Sequence, residues 1–303
     1  MSRIFDALQR AELERRSAHE ADGTETAESF AVFDGEEMPA VQTDLLLEKV
    51  AMHSWNPSLA ALPTLDDRGA GIEQFRGLRS QLYKFRDQAP MKTILVSSGI
   101  PAEGKTFVVA NLAMSLARNK DNSILLIDAD LRRPALHTIL GAPNWPGLTE
   151  YLDGSAEAQE ILQRNFDSGN DEAGQAPSIP NLTFIPAGTG GDNSLELIAN
   201  HRFEELITIL SQHFDWILID SPPALAFADA IDLARAADAV LLVARGAATP
   251  FDVAQRAQTA FSNTRLLGFV LNAVKYAPRN TAYYYYGERE PVGGPRWRKD
   301  KRR

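Results

Sequence analysis

The chain has 303 residues, 44% of them hydrophobic, which is enough for one large α/β domain or two smaller ones. Its formal charge of −9 argues against nucleic acid as the main partner, and the absence of cysteine excludes disulfides and thiolate metal sites and fits a reducing cytoplasm. The first ten residues lack the apolar core of a signal peptide and no apolar run could cross a bilayer, so we expect a soluble protein that reaches a membrane only through a partner.

The first predicted elements are a short helix and a linker. Residues 1–16 carry apolar side chains on one helical stripe, which is typical of a helix that either packs on its own domain or docks on a membrane partner. Residues 17–70 are acidic, rich in small residues and broken by prolines, which predicts a largely flexible linker. Trp55 and the 59–62 stretch are the candidates within it for contact with the folded domain. A domain over 71–280 and a tail over 281–303 complete the predicted organisation.

From Ile72 onward, predicted helices and strands alternate. The strands are apolar runs without polar alternation, as expected for a parallel sheet covered on both faces, so the sequence predicts a doubly wound α/β domain. Such a fold binds its ligand at the carboxyl ends of the strands. The predicted strands are 93–98, 123–128, 182–186, 215–219, 239–244 and 266–272, and the predicted helices are 72–86, 107–118, one or more within 134–164, 201–213, 228–236 and 250–262.

The first predicted core strand leads into a phosphate-binding loop. The spacing Gly99-x-x-x-x-Gly104-Lys105-Thr106 between a strand and a helix is the P-loop arrangement. Backbone N–H groups would surround phosphate oxygens, Lys105 would place a positive charge beside them, and the Thr106 hydroxyl would bind Mg²⁺. The sequence therefore predicts a nucleoside triphosphate site. Its candidate binding residues are Gly99, Ile100, Pro101, Ala102, Glu103, Gly104, Lys105, Thr106 and Phe107.

Carboxylates follow two further predicted strands. Asp128 and Asp130 end the strand after the P-loop helix, and Asp220 ends a later one. Mg²⁺ prefers oxygen ligands, so Asp220 and Asp128 with Thr106 are candidate metal ligands, and Asp128 or Asp130 could take a proton from an attacking hydroxyl. Arg132 or the next arginine, Arg133, could neutralise charge on a transferring phosphoryl group. The alternative is that each aspartate caps the following helix.

The C-terminal residues contain four consecutive tyrosines, Tyr283, Tyr284, Tyr285 and Tyr286, flanked by prolines and glycines. Four buried phenols in a row would each need a hydrogen-bond partner, so we expect a mobile tail. Beside a phosphate-transfer site these phenols are candidate phosphate acceptors, and otherwise an aromatic docking tail. The basic residues 296–303 could meet anionic lipid or simply be solvated.

Together these motifs resemble the bacterial tyrosine kinases of capsular and exopolysaccharide synthesis, over about residues 70–290. The resemblance includes the P-loop, the Asp-x-Asp-x-Arg motif at 128–132, Asp-Ser-Pro-Pro at 220–223, the stretches 146–154 and 227–233, and the tyrosine cluster. It implies a P-loop NTPase fold of the MinD/ParA-like class, with ATP and Mg²⁺ as cofactors. It also implies tyrosine autophosphorylation in which Lys105, Asp128, Asp130 and Arg132 are catalytic.

The resemblance extends to assembly and partners. It implies that Glu73, Arg76 and Arg79 join subunits into a ring in which one tail enters the next active site. It also implies a membrane polysaccharide copolymerase as a separate activator, as for stand-alone members. By analogy with the wider class, Asn272 would touch the adenine.

Three features depart from the family's pattern. Ala102 replaces a glycine, which is tolerable unless that position needs a positive φ; the tyrosines are contiguous; and the acidic 17–48 segment has no recognised counterpart. Two other functions are therefore considered, a MinD/ParA-type ATPase switch and a catalytically weak nucleotide-binding adaptor. The absence of lysine from 97–103 argues against the switch, and the retained Lys105 and aspartates argue against the adaptor.

Overall fold

The computed structural model describes residues 45–65, 70–166, 179, 181–191 and 194–274. The predicted N-terminal helix, the acidic residues up to 44 and the tyrosine and basic tail lie outside the described residues.

Within these residues, eight strands form one sheet. They are β1 (Ala51–His53), β2 (Thr93–Ser98), β3 (Ile124–Asp128), β4 (Gln163–Asn165), β5 (Leu182–Ile185), β6 (Trp216–Asp220), β7 (Ala239–Arg245) and β8 (Leu266–Asn272). Their order across the sheet is β1-β4-β5-β3-β6-β2-β7-β8. Neighbouring strands are parallel except for β4 and β5, which confirms the predicted doubly wound, mostly parallel architecture.

Helices cover both faces of the sheet. Alternate residues of a strand point to opposite faces, so Ile94 and Val96 pack with the helices over 70–88 and 105–117, while Leu95 packs with those over 148–153 and 202–210. In the described part, no helix combines the length and apolarity that a bilayer crossing requires. The helices are α1 (Ala70–Gln88), α2 (Lys105–Ala117), α3 (Leu136–Leu140), α4 (Leu148–Asp153), α5 (Ser194–Ala199), α6 (Arg202–Leu210), α7 (Asp229–Leu233) and α8 (Phe251–Ala260), with 3₁₀ turns at Leu47–Lys49, Pro63–Leu65 and Ala234–Ala236.

The predicted linker needs correction over residues 45–65, which belong to the folded body. Strand β1 pairs with β4 at one edge of the sheet. The ring of Trp55 is buried edge-on to that of Phe184, with the ring centroids 6.0 Å apart. The backbone N–H of Trp55 donates to Asn165 Oδ1 at 3.0 Å. Leu62 is fully buried. Trp55 and the 59–62 stretch were the predicted points of contact, whereas the pairing of β1 with the distant β4 is not revealed by the segment's composition.

The topology brings the motifs to one end of the sheet. Strand β6 lies between β3 and β2, so the ends of all three strands are adjacent. Asp128 and Asp220 are paired residues on neighbouring strands, and Val96, close to the start of the loop, also pairs with Asp220. The predicted phosphate loop and carboxylates therefore converge.

Candidate active site

The loop between β2 and α2 has the backbone geometry that its glycines predict. Gly104 precedes α2 in the left-handed region, with φ 90°. A Cβ at this position would lie 2.1 Å from Asn272 Nδ2, so glycine is required by both conformation and space. The loop ends at the amino terminus of α2, where the helix dipole favours an anion.

Ala102 also has a positive φ, of 65°. A non-glycine residue in the left-handed region is strained by about 1–2 kcal/mol. Alanine was expected to be tolerable here unless the position needs a positive φ. The position does have a positive φ, so the loop carries local strain.

Three side chains outside the glycine pattern brace the loop. Glu103 is buried and accepts hydrogen bonds from the Ile100 N–H at 3.1 Å and from the Thr249 hydroxyl. Asn272, which the resemblance placed at the adenine, donates its side-chain N–H to the Glu103 carbonyl oxygen at 2.9 Å. The roles of Glu103 and Thr249 were missed, because no sequence signal connects residues that lie 146 positions apart.

Lys105 connects the loop to the carboxylates. Its Nζ donates to Asp130 Oδ2 at 2.8 Å and lies 3.7 Å from Asp220 Oδ1 and 3.3 Å from the Thr106 hydroxyl oxygen. Burial by itself would lower the pKa of Lys105, but the charges of Asp220 and Asp130 outweigh that effect and raise it. Lys105 is therefore an ammonium ion at neutral pH.

Asp128 and Asp220 are fully buried side by side. Burial raises the pKa of Asp128 to about 8, assisted by the charge of Asp220 and opposed by the N–H groups of Leu136 and Ala135. Burial also raises the pKa of Asp220 to about 6, against the charge of Lys105 and the Thr106 hydroxyl. Both carboxyl groups hold protons more tightly than exposed ones do.

Several oxygens of this cluster lack hydrogen-bond partners. Asp128 Oδ2 accepts from the Leu136 and Ala135 N–H groups at 2.9 and 3.1 Å, which is the capping role considered as the alternative, but Asp128 Oδ1 has no hydrogen-bond partner. Neither oxygen of Asp220 has a partner within normal hydrogen-bond geometry, although Lys105 Nζ lies 3.7 Å from Asp220 Oδ1. Buried polar atoms are normally satisfied, so these oxygens fit a site that a bound cation completes.

A protein-only metal cage is absent from the described residues, where no three His, Cys, Asp or Glu side chains gather to hold an ion. Mg²⁺ commonly uses one or two carboxylates together with phosphate oxygens and water. Thr106 and Asp220 suit that smaller contribution.

A cavity of about 250 Å³ opens over this cluster. Arg133 lines it, whereas Arg132 is held away by Asp229, whose Oδ2 accepts from Arg132 Nε at 3.0 Å, and by the Phe227 ring beneath its guanidinium. The sequence alone does not show which of the two adjacent arginines lines the cavity. The 227–233 stretch, which contains Phe227 and Asp229, was nevertheless part of the family resemblance. The lining residues are Pro101, Ala102, Gly104, Lys105, Thr106, Asp130, Arg133, Pro223, Ala226 and Phe227.

The remaining predicted residues lie on α1 and at the start of α2. Phe107 packs its ring edge-on to Phe75 and does not line the cavity. Glu73 and Arg76 form an exposed ion pair along α1, while Arg79 donates to the Ser115 carbonyl oxygen of α2. Two of the three predicted assembly residues thus lie exposed on α1, paired with each other.

A larger cleft, of about 560 Å³, lies at the opposite end of the sheet. Its polar groups are already paired: Asp238 accepts from the N–H groups of Lys92 and Thr93, and Lys92 Nζ donates to the Ser211 carbonyl oxygen. Its size therefore does not make it the chemical site.

The chain is similar to known proteins over most of its length. A family model described as an AAA domain matches residues 91–251. Tyrosine-protein kinase YwqD of Bacillus subtilis is 32% identical over 227 residues, which cover 74% of this chain and 90% of YwqD. The kinase domain of Escherichia coli tyrosine kinase ETK has a TM-score of 0.62 at 29% identity, over 78% of this chain and 87% of that domain.

Other relatives are much longer than the region they share. Tyrosine-protein kinase wzc of Salmonella typhimurium is 34% identical over 71% of this chain, but the match spans only 28% of wzc. The match to tyrosine-protein kinase ptk of Acinetobacter johnsonii likewise spans 29% of that protein. The similarity to YwqD, in contrast, extends over nearly the full length of YwqD. The phosphate loop with Lys105 beside Asp130 and Asp220 is consistent with such a relationship. The chain belongs to the bacterial tyrosine-protein kinase family.

Proposed function

We propose that the chain is an ATP- and Mg²⁺-dependent protein-tyrosine kinase whose acceptors are Tyr283–Tyr286 of a neighbouring subunit. The observation that carries the proposal is the position of Lys105, hydrogen-bonded to Asp130 and next to Asp220 at the end of a phosphate loop. The relatives' names support tyrosine as the acceptor.

Lys105 and the loop bind the triphosphate in this proposal. The ammonium leaves Asp130 for phosphate oxygens, while loop N–H groups and the α2 terminus stabilise the remaining negative charge. Thr106 and Asp220 would hold Mg²⁺, which neutralises phosphate charge when bound. Arg133 lines the cavity and can contribute a further positive charge.

Asp128 is the proton acceptor in this proposal. Its Oδ1 has no hydrogen-bond partner, so this oxygen can accept the proton without giving up an existing bond. The phenol proton passes to Asp128, the phenol oxygen bonds to the γ-phosphorus, and the bond from that phosphorus to the β,γ-bridging oxygen breaks to release ADP. Arg132 then acts as a positioning residue, because its guanidinium is held by Asp229.

Assembly and regulation are also part of the proposal. Glu73 and Arg76 are exposed on α1 and would contact a neighbouring subunit together with Arg79. A membrane polysaccharide copolymerase would activate the chain at the inner face of the plasma membrane, and phosphorylation would regulate exopolysaccharide polymerisation and export. The family resemblance supports these parts.

A labelling assay tests the kinase function. Purified chain, alone and with an activator fragment, is incubated with γ-labelled ATP and Mg²⁺, and we expect label on tyrosine. Lys105→Met should reduce the labelling at least about 100-fold, because it removes a charge that stabilises the transferring phosphoryl group. Replacing Tyr283–Tyr286 with Phe should abolish it.

Lys84→Met is the matched control, because Lys84 is an exposed lysine on α1 away from the loop. It should label normally. Release of free phosphate from ATP with the protein unlabelled would contradict the kinase and favour the ATPase switch. Nucleotide binding without turnover would favour the adaptor.

A further inference from the structure

An apolar surface lies at the sheet edge formed by β8. Phe251 at the start of α8 is 82% exposed and Leu271 on β8 is 65% exposed, and Phe269 and Val274 are also exposed. Phe251, Phe269 and Leu271 line one groove of about 520 Å³ between α8 and β8, which we call the β8 groove. Contiguous exposed apolar surface of this kind commonly marks an interaction site.

The β8 groove has the chemical character of a site for tyrosine. Its apolar walls are bordered by the exposed side chains of Gln255 and Gln258, which offer hydrogen-bond donors and acceptors. A phenol has an apolar ring and one polar end, so it can cover the aromatic walls while its hydroxyl meets the border. Strand β8 is also an edge strand in the described sheet, with backbone groups on its outer side available for pairing.

The chain leaves the described structure at this groove. Gly246 lines the groove and lies close to Val274, since a Cβ built on Gly246 would be 2.8 Å from Val274 Cγ2. Val274 is the last described residue, so the described chain ends beside the groove. Tyr276 follows two residues later, and residues 275–282 precede the four tyrosines. At about 3.4 Å per extended residue, that connection reaches anywhere along the groove.

We propose that the tyrosine segment 276–286 of the same chain docks in the β8 groove. Of the sequence beyond residue 274, this segment holds five tyrosines that match the groove walls, whereas the other aromatic residue, Trp297, lies within the strongly basic 296–303. Arg245 also lines the groove, which disfavours a basic occupant.

Docking here also places the segment against the braces of the phosphate loop. Arg245 Nη1 donates to the Ala102 carbonyl oxygen at 3.4 Å, and Thr249 donates to Glu103. Phenols held in the groove are kept from a neighbour's active site, a consequence that rests on the proposed kinase function. The docking itself does not depend on catalysis.

Cysteine pairing tests the proposal cleanly, because the natural chain has no cysteine. The full-length double variant Gln255→Cys with Tyr284→Cys is exposed to oxidised glutathione without nucleotide or Mg²⁺. Gln255 lines the groove and its replacement leaves the apolar walls intact. We expect an intramolecular disulfide, detected by mass and peptide mapping.

The matched control is Arg256→Cys with Tyr284→Cys, on the next residue of α8, which is exposed but does not line the groove. Docking should make the disulfide of the Gln255→Cys pair form at least about ten-fold faster than that of the control pair. The reason is that docking raises the effective concentration of the cysteine at position 284 only on the groove side of α8. Adding Leu271→Ser should reduce the rate to that of the control.

Equal rates for the two pairs would overturn the docking. Disulfides between mixed Gln255→Cys and Tyr284→Cys single variants, in place of the intramolecular bond, would assign the groove to a second copy and overturn the same-chain proposal. Since no ATP is present, either result is independent of the labelling assay.

Discussion

At the scale of single residues, Ala102 holds the phosphate loop in a conformation that glycine adopts more easily. Its φ of 65° is unfavourable for a side chain with a Cβ. We expect Ala102→Gly to stabilise the chain by about 0.5–1 kcal/mol, since relief of strain exceeds the extra entropy of glycine in the unfolded state. Urea unfolding of both proteins measures the difference.

Ala237→Gly serves as the control for this change. Ala237 has an ordinary φ of −100°, so glycine there should lower stability by about 0.5–1 kcal/mol. Loss of stability in both variants would show that the loop is not strained at Ala102.

The buried carboxyl of Asp128 gives the nucleotide-free protein a pH-dependent stability. Its pKa is raised to about 8 in the folded state, so the folded form binds the proton more tightly than the unfolded form. Its contribution to stability is therefore complete at low pH and lost as the pH rises through about 8. In EDTA, the melting temperature should fall between about pH 4, near the ordinary carboxyl pKa of the unfolded chain, and about pH 8, and it should fall less steeply in Asp128→Asn.

Asp252→Asn, which changes an exposed carboxylate on α8, should leave that profile unaltered. If the melting temperature of Asp128→Asn fell with pH as steeply as that of the natural chain, Asp128 would not be the cause of the pH dependence.

At the scale of elements, the β1 edge depends on one aromatic anchor. Trp55 fills the space against Phe184 and is held by Asn165 on β4. We expect Trp55→Ala to cost about 3–5 kcal/mol, because it leaves a cavity under a strand of only three residues. Thermal or urea unfolding measures the loss.

Leu59→Ala is the comparison from the same segment. Leu59 is 60% exposed, and its truncation should change stability by less than about 0.5 kcal/mol. If both variants changed stability by less than about 0.5 kcal/mol, residues 45–65 would behave as the linker that their composition suggested.

At the scale of the whole molecule, sequence predicted the central fold well because its signals are local. The apolar runs of β2, β3 and β6 and the glycine spacing of the phosphate loop are contained in short segments. Parallel topology then brings Asp128 and Asp220 together without further information. The predicted convergence of loop and carboxylates followed from these features.

The features that sequence did not predict depend on contacts between distant segments. Strands β1 and β4 have three residues each and are too short to show a period. Arg132 and Arg133 are adjacent, and only the position of Asp229 decides which one reaches the cavity. The bonds of Glu103 to Thr249 and Asn272 likewise exist only once the sheet has formed.

The pairing of Lys105 with Asp130 and Asp220 has a consequence for how an inactive variant should be interpreted. In the unliganded chain this ammonium is a counter-ion that keeps crowded carboxyl groups from repelling one another. Lys105→Met thus withdraws structural support as well as a phosphate ligand. Its lost labelling is informative about transfer only alongside a melting curve, and Lys105→Arg, which keeps the charge, separates the two effects.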